Sequence, residues 1–319
     1  MRKKILSILV LIIFIFTIFP TVESINLKII KKEKNLTNEN EYYGLLIAVG
    51  LYLNNPDQDR PSMLVKIEDL YDTLVQSNNW EKENILKITG KEATFKNIIN
   101  GFLWLDKKEH VGDLSLVYIT THGLSPGFDL PPFDETDGTD EALVPYEGFD
   151  NELHLLWDDM LNFLLNRLES KGVCLIVDSC YSGGFNDHTK IKNTKIEVKK
   201  NLKIFKQGLL KELFSKNRIV LMSSEENKLS YGSHFSHYLI DGLNGNADDN
   251  LDQIITAEEA FYYAQPIIER LGWQNPTILD NYNGEFPIIN NQIKKESENS
   301  KNLINYFIDK IRDRKLSFF

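Results

Sequence analysis

With 319 residues, 42% of them hydrophobic and 26% charged, the chain has ordinary globular composition and the length for one large domain or two small ones. Its formal net charge of -10 at pH 7 argues against a broad phosphate-binding surface, so nucleic acid is not an expected partner. The two cysteines are Cys174, inside a predicted strand, and Cys180, just past it, and the extended chain between them spans roughly 20 Å, beyond the Cα separation of about 4.4 to 6.8 Å that a disulfide takes, so the fold is not expected to rest on a disulfide.

The chain starts with a basic n-region (Arg2, Lys3, Lys4), an apolar run from Ile5 to Phe19, Pro20 and short residues after it. This pattern predicts a secretory signal over 1–24, cleaved after Ser24 and leaving a formal charge of -12 once three bases and Glu23 are removed from the -10 total. The alternative is an uncleaved N-terminal membrane anchor, disfavoured because the run is short for a span of about 20 residues. In both cases the expected location is extracytoplasmic, with membrane contact only through that segment. A polar spacer fills 25–41.

From residue 42 onward, short β-rich runs alternate with helical patterns, the order of a parallel sheet. The predicted strands are Gly44 to Val49, Ile85 to Ile88, Leu114 to Thr120, Val173 to Val177 and Ile219 to Ser223. Helical spacing of apolar residues predicts helices at Met63 to Gln76, Thr94 to Leu105, Asp159 to Leu168 and Phe235 to Leu243. LSLVYIT and VCLIV are apolar on both faces, as in a sheet covered on two sides. One α/β domain over 42–289 accounts for these elements, and 290–319 reads as a linker plus an amphipathic C-terminal helix at Asn302 to Arg312. Two stretches break the pattern: Asp129 to Glu141 carries six acids and no base, and Asn186 to Lys206 carries seven lysines and two acids. Both read as solvated loops.

Reactive groups of parallel α/β sheets gather at the carboxyl ends of strands. Two predicted strand ends bear capable residues: YITTHGLSPG brings His122 and Gly123, and LIVDSCYSGGF brings Cys180. Adjacent strands would bring imidazole and thiol to one rim. A thiol with an ordinary pKa is mostly protonated at neutral pH, and a nearby imidazole makes it a ready nucleophile and then protonates the leaving amine. The N–H groups of Gly123 and Cys180 are candidate oxyanion donors. Cys174, followed by three apolar strand residues, reads as a packing residue.

These residues resemble the caspase, metacaspase, legumain, gingipain and clostripain superfamily of cysteine peptidases, in which one strand ends in His-Gly and a later one in Asp/Glu/Gln-x-Cys. TDGTDEALVPYE also resembles the metacaspase loop after His-Gly. The resemblance implies a caspase-like three-layer sandwich with a mostly parallel central sheet flanked by helices, and a His122–Cys180 dyad with the Gly123 and Cys180 amides as oxyanion hole. Cys180 is followed by Tyr-Ser-Gly-Gly instead of the Arg-Gly of caspases proper, which argues against caspase-type specificity. Asp178, two residues before the thiol on the same strand, shares its side, and a carboxylate there favours Arg or Lys at P1; metacaspases and clostripain-like enzymes use an Asp at this place. A cap for local backbone N–H groups is the other reading of Asp178. Asp57 and Asp59, after the first strand, are further candidates for that pocket. Basic specificity makes the 190–206 lysines candidate self-processing sites.

DDNLDQIITAEE, Asp248 to Glu259, sets Asp248, Asn250, Asp252, Thr256 and Glu259 at oxygen-ligand positions of an EF-hand-type calcium loop, with the Ile254 carbonyl between them. Gln253 stands where glycine is usual, and the same residues also read as a helix start with Thr256 and Glu259 in a capping box. Calcium is the one expected cofactor, with the 129–141 acids as a second candidate site, and no organic cofactor is expected. No H-E-x-x-H, C-x-x-C or GxGxxG occurs, the CYSGG around Ser182 lacks the first glycine of a G-x-S-x-G nucleophile elbow, and His234 and His237 have no evident third ligand. The expected function is a cysteine endopeptidase acting on peptides or proteins. A legumain-like transpeptidase or ligase, and an inactive calcium-binding module of the same fold, are the alternatives.

Overall fold

The computed structural model describes residues 40–124, 141–181, 213, 215–223, 233–272 and 275–292, with backbone alone for Cys180 and Tyr181. The predicted signal segment, the spacer up to residue 39, the acidic stretch up to residue 140, the lysine-rich loop and the 302–312 helix lie outside the described residues. Ser182, Gly183 and Gly184 do too.

The described elements are β1 (Tyr42–Ala48), α1 (Ser62–Gln76), β2 (Ile85–Thr89), α2 (Phe95–Lys108), β3 (Leu114–Leu124), β4 (Ala142–Leu143), β5 (Leu156–Trp157), α3 (Asp158–Leu165), β6 (Gly172–Tyr181), β7 (Arg218–Met222), α4 (His234–Asp241), β8 (Ile254–Thr256), α5 (Ala257–Leu271), β9 (Thr277–Asp280) and β10 (Pro287–Asn290). The main sheet runs β2-β1-β3-β6-β7-β9. Every pairing in that path is parallel except β7 with β9, while β4 and β5 extend the end of β3 antiparallel. This is the mostly parallel α/β architecture expected from the alternating pattern.

Alternation along the strands decides which helices cover which face. Leu46, Leu116, Tyr118, Cys174, Ile176 and Leu221 bury against α1 (Ile67, Leu70, Leu74), α4 (Phe235, Leu239) and α5 (Phe261, Ala264, Ile268). Their strand neighbours Leu45, Ile47, Val117, Ile119, Leu175, Val177 and Val220 form the opposite face and are equally buried. There α2 approaches so closely that a Cβ on Gly101 would lie 2.7 Å from Ile88 Cδ1 and 2.9 Å from Leu45 Cδ1. An Arg167–Asp106 ion pair at 2.7 Å ties the chain after α3 to α2. Three layers result, and each strand needs apolar residues on both sides.

The boundaries differ where polar residues join the sheet. β3 and β6 each run four residues beyond their predicted ends, through THGL and DSCY. Their threonine, serine and histidine remain strand residues because the neighbouring strands satisfy their backbone groups, so His122 and Cys180 sit on paired strands instead of in loops. β4, β5, β8, β9 and β10 have two to four residues each, too short for a periodic signal. α4 ends at Asp241 and passes into a π-helical turn, Gly242–Asn246, in place of a helix to Leu243. β10 pairs β8, and Trp80 Nε1 donates to the Ile288 carbonyl at 2.7 Å, fastening the last strand to the end of the α1 loop.

Candidate active site

The register of β3 on β6 pairs Thr120 with Asp178, Thr121 with Ser179, His122 with Cys180 and Gly123 with Tyr181. Parallel neighbours lie about 4.8 Å apart, so the histidine and cysteine backbones are adjacent although 58 positions separate them. Because they are register partners, both positions fall on the face covered by α1, α4 and α5. Gly123 is also paired with Leu143 of β4, which sets it between two strands.

His122 is 5% exposed. Its Nε2 lies 2.9 Å from the Gln58 carbonyl. A carbonyl oxygen only accepts, so in the neutral ring Nε2 carries the proton and Nδ1 keeps the lone pair. The ring packs against Tyr52 and Phe149, with centroids 5.0 and 5.7 Å away. Burial pushes the imidazole pKa down to about 4, the Gln58 carbonyl opposes that shift and the Arg60 charge reinforces it. At neutral pH the ring is therefore a free base.

The chain from Gly50 to Pro61 supplies Tyr52, Gln58 and Arg60, and no motif in it announces the role. It leaves β1 through Gly50, whose φ of +61° suits glycine, and Arg60 N donates back to the Gly50 carbonyl at 2.8 Å. Tyr52 is the anchor. His122 N–H donates to Tyr52 Oη at 3.0 Å, and Thr121 Oγ1 donates to the Val144 carbonyl, so the Tyr52 hydroxyl in turn donates to Thr121 Oγ1 at 3.0 Å. Of the acids proposed for this loop, Asp59 accepts from Tyr52 N at 2.8 Å and closes the turn, whereas Asp57 is exposed and bonded to its neighbour Gln58.

Asp178 is 3% exposed. Its Oδ2 accepts from Ser236 N at 3.2 Å and from the Ser236 hydroxyl, so it binds the first turn of α4, a long-range version of the capping reading. Burial raises its pKa; the hydrogen bonds from Ser236, a nearby Ser223 hydroxyl and the His234 charge pull it back down. Tyr118 Oη lies 2.7 Å from Ser236 Oγ and, because that serine gives its proton to Asp178, the tyrosine is the donor. Asp69 of α1 also presses on Tyr118 electrostatically, a second carboxylate in this region that sequence patterning did not single out. Cys174 is fully buried and its thiol pKa is pushed up by burial, in keeping with packing.

The residues read as a calcium loop stand elsewhere, between the π-helical turn and α5. Asp248 Oδ1 and Asn250 Oδ1 accept from Asp252 N at 3.1 and 2.9 Å, Asp252 Oδ1 accepts from Ile254 N at 2.8 Å, and Asn250 Nδ2 donates to Glu259 Oε1 at 3.2 Å. Thr256 and Glu259 form the reciprocal capping box of α5. Leu251 and Gln253 take φ of +59° and +67°, so the backbone adopts the left-handed turn without glycine. His234 and His237 both lie on α4, and no group of three metal-ligating side chains occurs among the described residues.

Comparison with known proteins now bears on this geometry. Residues 61–189 match the family model for the metacaspase peptidase C14 domain, a span that includes His122, Asp178 and Cys180. Over this span the chain is similar to the metacaspase peptidase domain. Metacaspase-1 of Plasmodium falciparum is 30% identical over 178 residues, 51% of this chain and 28% of that protein. Metacaspase-6 of Arabidopsis thaliana is 29% identical over 124 residues, 37% of this chain and 32% of that protein. The chain thus spans a third or less of these relatives' own length. A solved Geobacter sulfurreducens protein superposes with a TM-score of 0.48 at 18% identity, covering 75% of this chain and 92% of that one.

Two outcomes follow from the His122 surroundings. Tyr52→Phe keeps the ring but strips the buried His122 N–H of its acceptor, and urea unfolding is expected to show a loss of about 1 to 3 kcal/mol. The folded-state pKa of His122 lies below its unfolded value of about 6.5, so its contribution to stability is complete above that pH and is lost as pH falls toward about 4. Melting temperatures measured across this window should fall more steeply for the native chain than for His122→Gln.

Proposed function

We propose that the chain is a cysteine endopeptidase in which His122 and Cys180 form the dyad. The observation that carries this reading is the register pairing of the two residues, with the His122 ring held as the neutral Nε2–H tautomer. In the proposed reaction Nδ1 takes the Cys180 thiol proton and the sulfur attacks the substrate carbonyl carbon. The resulting oxyanion is held by the Gly123 and Cys180 amides. The C–N bond then breaks, the imidazolium returns its proton to the departing amine, and water hydrolyses the thioester.

Arg or Lys at P1 is the proposed preference, supported by the Asp178 carboxylate on the face of β6 that carries Cys180. Asp57 and Asp59 have weaker support, since one is exposed and the other is committed to Tyr52 N. A fluorogenic P1 library should give turnover on Arg and Lys peptides, none with Cys180→Ala, and loss of the basic preference with Asp178→Asn. Turnover persisting in Cys180→Ala would refute the dyad. Export through the 1–24 segment and self-cleavage within 190–206 belong to the same proposal; on incubation the native chain should yield fragments that the Cys180→Ala chain does not.

Calcium binding at Asp248, Asn250, Asp252, the Ile254 carbonyl, Thr256 and Glu259 is proposed as a separate property. Its support is the sequence spacing of the oxygen donors together with the left-handed backbone at Gln253, the conformation in which a calcium loop ordinarily uses glycine. Titration of the chain with CaCl2 should raise its melting temperature, and Asp248→Asn should remove the shift. Equal shifts in both chains would place calcium elsewhere.

A further inference from the structure

A buried carboxylate recognises a cation only while it is ionised, and burial opposes ionisation. Asp178 therefore needs donors of its own. Among the described residues two of its donors come from α4, the Ser236 amide at 3.2 Å and the Ser236 hydroxyl, both on Oδ2, and the Ser223 hydroxyl after β7 also favours the carboxylate. The serine is itself oriented, because Tyr118 Oη donates to it across 2.7 Å and leaves its single proton free to point at the carboxylate. Tyr118, Ser236 and Asp178 are all buried, so water does not compete for these bonds.

We propose that Ser236 is a positioning residue for P1 recognition, its hydroxyl backed by Tyr118 holding Asp178 ionised and oriented toward an incoming basic side chain. The inference rests on the reading of Asp178 as the P1 acid. The groups facing that carboxylate are Tyr118 and Thr120 from β3, Ser223 after β7, and Ser236 and His234 from α4; Asp69 of α1, paired with Lys66 at 2.6 Å, stands beyond Tyr118. Of these, His234 is the titrating cation and Asp69 the further anion.

The sign is fixed by the donor's preference. The hydroxyl stabilises the carboxylate and not the acid, so removing it raises the pH at which Asp178 ionises. The test is the pH dependence of kcat/KM on a P1-Arg peptide for the full chain, Ser236→Ala, Ser236→Thr, Tyr118→Phe and Asp178→Asn, each checked for an unchanged circular dichroism spectrum. Ser236→Ala should move the acid limb up by about one pH unit, a roughly tenfold loss on the acid side that fades as pH rises. Tyr118→Phe should move it less and in the same direction, and Ser236→Thr should restore it. A limb unmoved in Ser236→Ala, or a loss equal at every pH, overturns the proposal while Asp178→Asn still abolishes the Arg preference. If Asp178→Asn keeps that preference, the parent reading of the pocket fails instead.

Discussion

Everything at this site depends on the parallel register of β3 on β6. Side chains alternate along a strand, so a slip of one residue would leave Cys180 opposite Thr121 or Gly123 and turn it to the other face from His122. Apolar residues alone do not specify that register, because both faces of both strands are buried. Polar pairs do. Ser115 meets Ser170 at 2.6 Å just before β6, and Tyr118 of β3 and Asp178 of β6 share the Ser236 hydroxyl. Each of these bonds is buried and would be orphaned by a slip, which costs more than the loss of apolar contact that any hydrophobic neighbour could replace.

The second constraint is the kind of partner given to His122. A carboxylate on Nε2 would favour the imidazolium and raise the pKa of the ring. A backbone carbonyl orients the ring with only a dipole, and burial then wins, which is why the pKa sits near 4. The Gly50 to Pro61 segment adds to this in a second way. Arg60, whose guanidinium donates to the Asp59 carbonyl at 2.7 Å, lies close enough to disfavour a further positive charge. One loop thus sets orientation, tautomer and basicity together.

This division explains what could be read from the chain. Strands such as VCLIV are legible because two-sided burial demands continuous apolar runs, and His122 and Cys180 are legible because their chemistry resides in their side chains. Gln58 is not legible: its contribution is a carbonyl oxygen that any residue would supply. Tyr52 and Ser236 are ordinary strand-exit and helix residues until the fold brings them 70 and 58 positions along the chain to His122 N and Asp178. The four extra residues on β3 and β6 were hidden for the opposite reason, since polar residues predict a loop unless the partner strands that satisfy them are known. Asp59 stands out in the sequence by its charge, and in the fold that carboxylate closes a turn by accepting from Tyr52 N.

The neutral donors around Asp178 have a further meaning. A buried carboxylate is most simply stabilised by an arginine or lysine of the same chain, but such a partner would cancel the charge and compete with any cation arriving from outside. Hydroxyls and an amide stabilise the ionised form by less and leave its net charge intact. On the proposed reading of Asp178 as the P1 acid, such donors leave its charge for an incoming cation, at the expense of a carboxylate whose pKa stays above its ordinary value. The raised pKa is the mark of burial, which these neutral donors offset only in part.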